Sequence, residues 1–165
     1  MMIGVVSDTH DDIENTEKVI AKFKENKVDL VVHLGDYVSP PTLKLFEGLK
    51  VVGVFGNNDG YKEGLIKIFN QIGGEIKGDF GIMEVDNLNM ALFHGEFSEL
   101  PRALAKSGDY DVVFYGHSHK FEKSKYGNSL LLNPGSCHRS FTEDEYPTAG
   151  IFDTTNKQFK AIDLV

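Results

Sequence analysis

Residues 2–10 read Met-Ile-Gly-Val-Val-Ser-Asp-Thr-His, a short apolar run that ends in a carboxylate and an imidazole two positions apart. A continuous run of this length, rather than an alternating one, suits a strand buried on both faces. The pattern recurs four more times. Residues 30–34 (LVVHL) lead into Gly35-Asp36, 51–55 (VVGVF) into Gly56-Asn57-Asn58-Asp59, 90–93 (MALF) into His94-Gly95, and 112–115 (VVFY) into Gly116-His117-Ser118-His119. In an α/β protein the C-terminal ends of parallel strands converge on one edge, where ligands bind. Asp8, His10, Asp36, Asn57, His94, His117 and His119 are therefore expected in one crevice, enough side chains to hold two metal ions.

The donor set narrows the metal. Carboxylate, imidazole and amide oxygen together suit a borderline divalent ion such as Mn, Fe, Co, Ni or Zn, whereas an all-oxygen set would suggest Mg or Ca. Four of the seven are imidazoles, which favours Mn²⁺ or Ni²⁺ over Mg²⁺. No thiolate is present to build a structural zinc knot. Asp8 and His10 are two residues apart, as are His117 and His119. On an extended strand end that spacing puts both members of a pair on one side. A glycine beside the polar residue at four of the five turns lets the backbone pass close to a ligand.

Helical periodicity is expected over residues 12–25, 42–49, 62–72 and 99–106, with Asp11 or Asp12 as N-cap of the first. The strand–helix alternation as far as residue 49 implies βαβ units. From residue 75 the pattern changes to strands in hairpins, at 75–77, 81–85, 89–93, 121–126, 129–132, 149–152 and 159–163. Asp86-Asn87, Gly127-Asn128 and Thr155-Asn156 supply turn chemistry. No linker or repeat interrupts residues 1–165, which are expected to form one domain.

The ordered motifs Asp8-x-His10, Gly35-Asp36, Gly56-Asn57-x-Asp59, His94-Gly95 and Gly116-His117-x-His119 resemble the five motifs of the calcineurin-like metallophosphoesterases. The Ser7-Asp8-Thr9-His10 opening and the late Asn133-Pro134-Gly135-Ser136 stretch resemble the compact bacterial and archaeal phosphodiesterases of that superfamily. The resemblance implies a sandwich of two mixed β-sheets flanked by helices. It implies that Asp8, His10 and His119 hold one metal, that Asn57, His94 and His117 hold the other, and that Asp36 bridges them. The implied function is hydrolysis of small phosphodiesters by attack of a metal-bridging hydroxide at a dinuclear centre. Asp36, Asn57, Asn58, Asp59 and His94 would serve catalysis, with Asp59 orienting Asn57 or Asn58.

Two positions depart from the family pattern. Asn58 stands where many members have a histidine, and an amide cannot act as an acid. The stretch after Ser136 reads Cys137-His138-Arg139, and Arg139 is the residue expected to reach a substrate phosphate. Two alternatives remain: a phosphomonoesterase or nucleotidase on the same centre, and a noncatalytic scaffold like the retromer subunit that shares this fold, in which the site is degraded.

Lys+Arg 17 against Asp+Glu 25 gives a net charge of -8. Duplex nucleic acid demands many phosphate contacts from basic side chains, so it is not an expected partner. Lone Cys137 excludes an intramolecular disulfide and fits a reducing cytoplasm. No apolar run approaches the roughly 20 residues of a spanning helix, so no membrane partner is expected. Relatives of this kind are often homo-oligomers, but no stretch marks an interface. His33, inside the second run, is expected to point away from the metals and to orient a ligand by hydrogen bonding.

Overall fold

In β1 (Met2–Val6) alternate side chains go to opposite faces, and both faces are covered. Ile3 and Val5 pack toward a second sheet, while Val6 packs toward helices. Gly4 shares the helical face, where an added Cβ would lie 2.9 Å from the Phe23 ring. That two-sided burial is the physical origin of an unbroken apolar run. The computed structural model describes residues 1–138 and 146–164.

After β1 come α1 (Ile13–Glu25), β2 (Leu30–His33), α2 (Pro40–Lys44), β3 (Val51–Gly53), α3 (Lys62–Ile72) and β4 (Glu75–Ile76). Then follow β5 (Phe80–Val85), β6 (Leu88–Phe93), α4 (Leu100–Ser107), β7 (Val112–Tyr115), β8 (Phe121–Tyr126), β9 (Ser129–Pro134), β10 (Thr148–Asp153) and β11 (Gln158–Asp163). One sheet has the order β11-β10-β1-β2-β3-β4 and the other β5-β6-β7-β9-β8. Both are mixed: β1, β2, β3 and β4 run parallel, as do β6, β7 and β9, and the remaining pairs are antiparallel.

Three clusters of buried side chains define the layers. Val19, Ile20 and Phe23 of α1, Leu43 of α2, and Leu65 and Phe69 of α3 meet Val6, Val31 and Val51 on the outer face of the first sheet. Ile3, Val5, Val32, Met90, Leu92, Val112, Phe114 and Phe152 fill the space between the sheets. Ala105 of α4 closes over Ala91, Val113 and Leu131 on the far face of the second sheet. The result is the expected helix–sheet–sheet–helix sandwich. Among the described residues no helix is long and apolar enough to cross a membrane.

Local chemistry accounts for several element boundaries. The Asp12 side chain accepts from the Asn15 N–H at 3.0 Å and caps α1, with Glu14 in its first turn and Lys22 and Lys24 in its last. Asp86 and Asn87 both take positive φ (51° and 60°), the two-residue turn that suits the β5–β6 hairpin.

Two expectations are corrected. The helix expected at 42–49 instead begins at Pro40, because proline is already set for a first turn. Beyond Lys44 it gives way to three-residue turns, with Leu45 N–H donating to Thr42 O (3.2 Å) and Phe46 N–H to Leu43 O (3.1 Å). Nor are all strands after residue 75 in hairpins. β4 pairs parallel to β3, since Gly73, at φ 70°, caps α3 and returns the chain to the same sheet. β6 and β7 are parallel, joined across α4.

Candidate metal centre

Five parallel strand ends, three from one sheet and two from the other, deliver the site. β1 ends at Asp8 and His10, β2 at Asp36, β3 at the turn of Asn57 to Asp59, β6 at His94, and β7 at His117 and His119. Ligand atoms of Asp8, His10 and His119 lie within 4.8 Å of one another, and so do those of Asp8, Asp36 and His94. The carboxylate of Asp8 belongs to both groups. His117 joins through its Nδ1, 3.3 Å from His94 Nε2.

The two-residue spacings do not work through extended backbone as expected. Asp8, His10, Asp36, His117 and His119 all have positive φ (55°, 43°, 58°, 62° and 59°). Asp and His are among the side chains that tolerate this left-handed region. Backbone bonds hold the turns: Asp8 N–H donates to Gly35 O (3.1 Å), His10 N–H to Asp36 O (3.0 Å) and Ser118 N–H to Gly116 O (2.7 Å). Two glycines allow the close approach. A Cβ on Gly56 would collide with the Asp36 carboxylate, and one on Gly116 with the Ser7 hydroxyl.

Asp8, Asp36 and His94 are at most 1% exposed. His94 Nδ1 donates to Leu34 O at 2.8 Å, which leaves Nε2 facing Asp36 Oδ2 at 3.3 Å. His10 Nε2 lies 3.6 Å from Asp8 Oδ1 and 3.5 Å from Asp36 Oδ2, and His119 Nε2 lies 3.2 Å from Asp8 Oδ1. Burial would raise the Asp8 and Asp36 carboxyls, but imidazoles hold both below the usual carboxylate range: His10 and His119 for Asp8, His94 for Asp36. Burial would lower His94, yet Asp36 and Asp8 push it up to about 9. His33, buried and facing away, is driven down to about 3 by desolvation.

Divalent cations fit this arrangement. Asp8 Oδ1 and His10 Nε2 are buried atoms with no hydrogen-bond partner among the described residues, each aimed into the shared space. A bound cation satisfies such atoms, and the carboxylate–imidazole set suits borderline ions.

Asp59 is not placed as expected. It orients neither asparagine side chain. Its carboxylate accepts the N–H groups of Asp36 (2.9 Å), Val38 (2.9 Å) and Gly56 (2.7 Å), so it locks the β2 and β3 turns together. Burial nevertheless raises its pKa. Asn58 grips Asp36 directly, through its backbone N–H to Oδ1 (2.8 Å) and its Nδ2 to Oδ2 (2.7 Å). Asn57, exposed, stands on the same turn.

The end of β9 and the residues after it brace the site from behind, a role the Asn133-Pro134-Gly135-Ser136 stretch signals only by resemblance. Asn133 Nδ2 donates to Gly116 O (2.9 Å) and Ser118 Oγ (3.1 Å), fixing the turn of His117 and His119. Ser136 Oγ (3.2 Å) and His138 N–H (2.9 Å) both donate to Asp8 O. The His138 ring lies 5.6 Å from that of His10, with Nδ1 3.6 Å from Asp12 Oδ2. Cys137 is buried among apolar side chains, and desolvation pushes its thiol pKa up. Arg139 lies outside the described residues.

A family model of the calcineurin-like phosphoesterase superfamily domain matches residues 1–157. A phosphodiesterase of Methanocaldococcus jannaschii is 39% identical over 167 residues, 99% of each chain. A solved structure described as a novel archaeal phosphodiesterase superposes with a TM-score of 0.92 at 37% identity, again over 99% of each chain. Vacuolar protein sorting 29 from Cryptosporidium parvum, 18% identical with a TM-score of 0.66 over 98% of this chain and 95% of that one, shares the fold.

Proposed function

Because the chain belongs to the calcineurin-like phosphoesterase superfamily, we propose that these residues form the two-ion centre of a phosphodiesterase acting on small diesters. One observation carries the reading: five carboxylate and imidazole side chains from four strand ends point ligand atoms at one another, two of those atoms being buried without a hydrogen-bond partner among the described residues. Asp8, His10 and His119 would hold one ion, Asn57, His94 and His117 the other, and Asp36 would bridge. When bound, the ions supply Lewis acidity toward water and toward the nonbridging phosphoryl oxygens.

The protein's own groups prepare that chemistry. The Leu34 carbonyl fixes the His94 ring so that only Nε2 faces the site. Asn58 and Asp59 fix Asp36, one at its carboxylate and one at its backbone. The Gly116 turn, tied to Asn133, presents His117 and His119 together. The intact ligand set weighs against a scaffold role. Mn²⁺ or Ni²⁺ is the expected metal, the cytoplasm the expected compartment, and residues 1–165 the expected single domain.

The test is hydrolysis of bis(4-nitrophenyl) phosphate and 4-nitrophenyl phosphate by wild type and Asp36→Ala. Chelation should abolish turnover, Mn²⁺ or Ni²⁺ should restore it better than Mg²⁺, and the diester should be the faster substrate. Asp36→Ala should lose activity and at least one ion. Full activity in protein shown to contain no metal would sink the reading, and a faster monoester would favour the phosphomonoesterase.

A further inference from the structure

We infer that His33 is a positioning residue for Asp36, acting through the hydroxyl of Thr9. The inference rests on the two-ion reading above, in which Asp36 is the bridge.

His33 is fully buried on the helical face of β2. Its ring is stacked on Tyr37 at 3.9 Å between centroids and is met edge-on by Phe46 at 5.6 Å, so its plane is fixed by packing. The direction of each hydrogen bond then follows from proton counting. The Gly35 N–H lies 3.2 Å from Nδ1, and a backbone N–H can only donate, so Nδ1 carries the lone pair. The proton of the neutral ring is thereby assigned to Nε2. Nε2 lies 3.2 Å from Thr9 Oγ1 and donates to it. The single hydroxyl proton of Thr9 is left for the Asp36 carbonyl at 3.3 Å.

The chain of donors runs one way, from Gly35 N–H through His33 and Thr9 to Asp36 O. That carbonyl also receives the His10 N–H at 3.0 Å, while Asp59 takes the Asp36 N–H. The peptide groups on both sides of a residue at φ 58° are therefore held, and the chain ties the β1 turn that bears Asp8 and His10 to the β2 turn that bears Asp36. The contacts with Tyr37 and Phe46 are ring contacts that require no polar atom, whereas the bonds to Gly35 and Thr9 use both ring nitrogens.

The test is Mn²⁺ titration of metal-free protein by calorimetry, with electron paramagnetic resonance of the loaded pair. Thr9→Val keeps the shape of the side chain and deletes the hydroxyl, and His33→Leu deletes the other half. Each should weaken Mn²⁺ binding about 10- to 100-fold, the range for removing a group that orients a ligand. Each should also replace the spin-coupled spectrum with that of isolated Mn²⁺. The double variant should be no worse than either single, since one chain is broken once. Thr9→Ser and His33→Gln, which retain the donors, should stay within a few-fold of wild type. A merely structural role would lower the melting temperature and leave the coupled spectrum intact. Wild-type affinity and coupling in Thr9→Val, or additive losses in the double, would overturn the inference. Thr9→Val against Thr9→Ser decides it even where His33→Leu does not fold. Wild-type protein that binds fewer than two ions would overturn the two-ion reading itself.

Discussion

Metal binding should cost this protein one unusually tight proton. His94 offers the site only Nε2, and without ions that nitrogen faces Asp36 at 3.3 Å and Asp8 at 4.0 Å, with a pKa of about 9. Proton and ion compete for one lone pair. At pH 7 about one molecule in 100 has His94 free, so apparent affinity at its site sits roughly 100-fold below its high-pH limit. Raising the pH from 6 to 8 should tighten binding by about two decades through this group alone. An imidazole at the ordinary value near 6.5 would give little gain above pH 7. The sign reverses for metal-free protein. A folded-state pKa raised above the unfolded one stabilises fully below about pH 6.5, and that stability, roughly 3 kcal/mol, is lost as pH rises through about 9. The assay is calorimetric Mn²⁺ titration of metal-free protein at pH 6, 7 and 8, in buffers of different ionisation enthalpy to count released protons. His94→Gln should flatten the profile above pH 7. Equal wild-type affinities at pH 7 and 8 with no proton released would refute the electrostatic account of His94.

Other outcomes can be checked directly. Since an amide cannot protonate a leaving oxygen, wild type should prefer aryl over alkyl leaving groups, and Asn58→His should raise turnover of alkyl esters selectively, within the 10²- to 10⁴-fold of a general acid. Parallel plots of kcat/KM against leaving-group pKa in both proteins, at equal metal content, would count against position 58. In Gly116→Ala the new methyl meets Ser7 Oγ and lies 3.0 Å from Asp8 Oδ2, so a loss of about 1–3 kcal/mol and weaker metal binding are expected by thermal melting and calorimetry. With a net charge of -8, a random DNA duplex should show no appreciable binding at physiological salt; a steep salt-dependent isotherm would contradict this.

The sequence makes legible what the chain states locally. Apolar runs closing on Asp8, Asp36, Asn57, His94 and His117 announce strand ends, because two-sided burial keeps these strands apolar, His33 excepted, until they stop. The partition of those strands between two sheets rests on contacts between residues far apart, such as Gly4 against Ile151 in β10, and no local pattern carries it. The turn geometry is hidden from the sequence for the same reason. Asp8 and His10 look like alternate residues of an extended strand, but the bonds to Gly35 and Asp36, more than twenty positions on, hold them in the left-handed region. Asp59 sits beside two asparagines in the sequence, but the N–H groups that it accepts from Asp36 and Val38 come to it from the turn after another strand. Asn133 shows the converse: its stretch stands out in the sequence, and its purpose depends on the turn after β7 lying beside it.

The left-handed backbone at five candidate ligand positions also restricts how such a protein could retire from catalysis. At Asp8, His10, Asp36, His117 and His119 a β-branched or bulky replacement would strain the turn as well as remove a donor. Asn and Gly are tolerated there, so the mutational paths that shed metals without shedding the fold run through those two residues. A descendant that keeps the sandwich as a docking platform should carry its history as asparagines and glycines at the old ligand positions, and leave the hydrophobic layers beneath untouched.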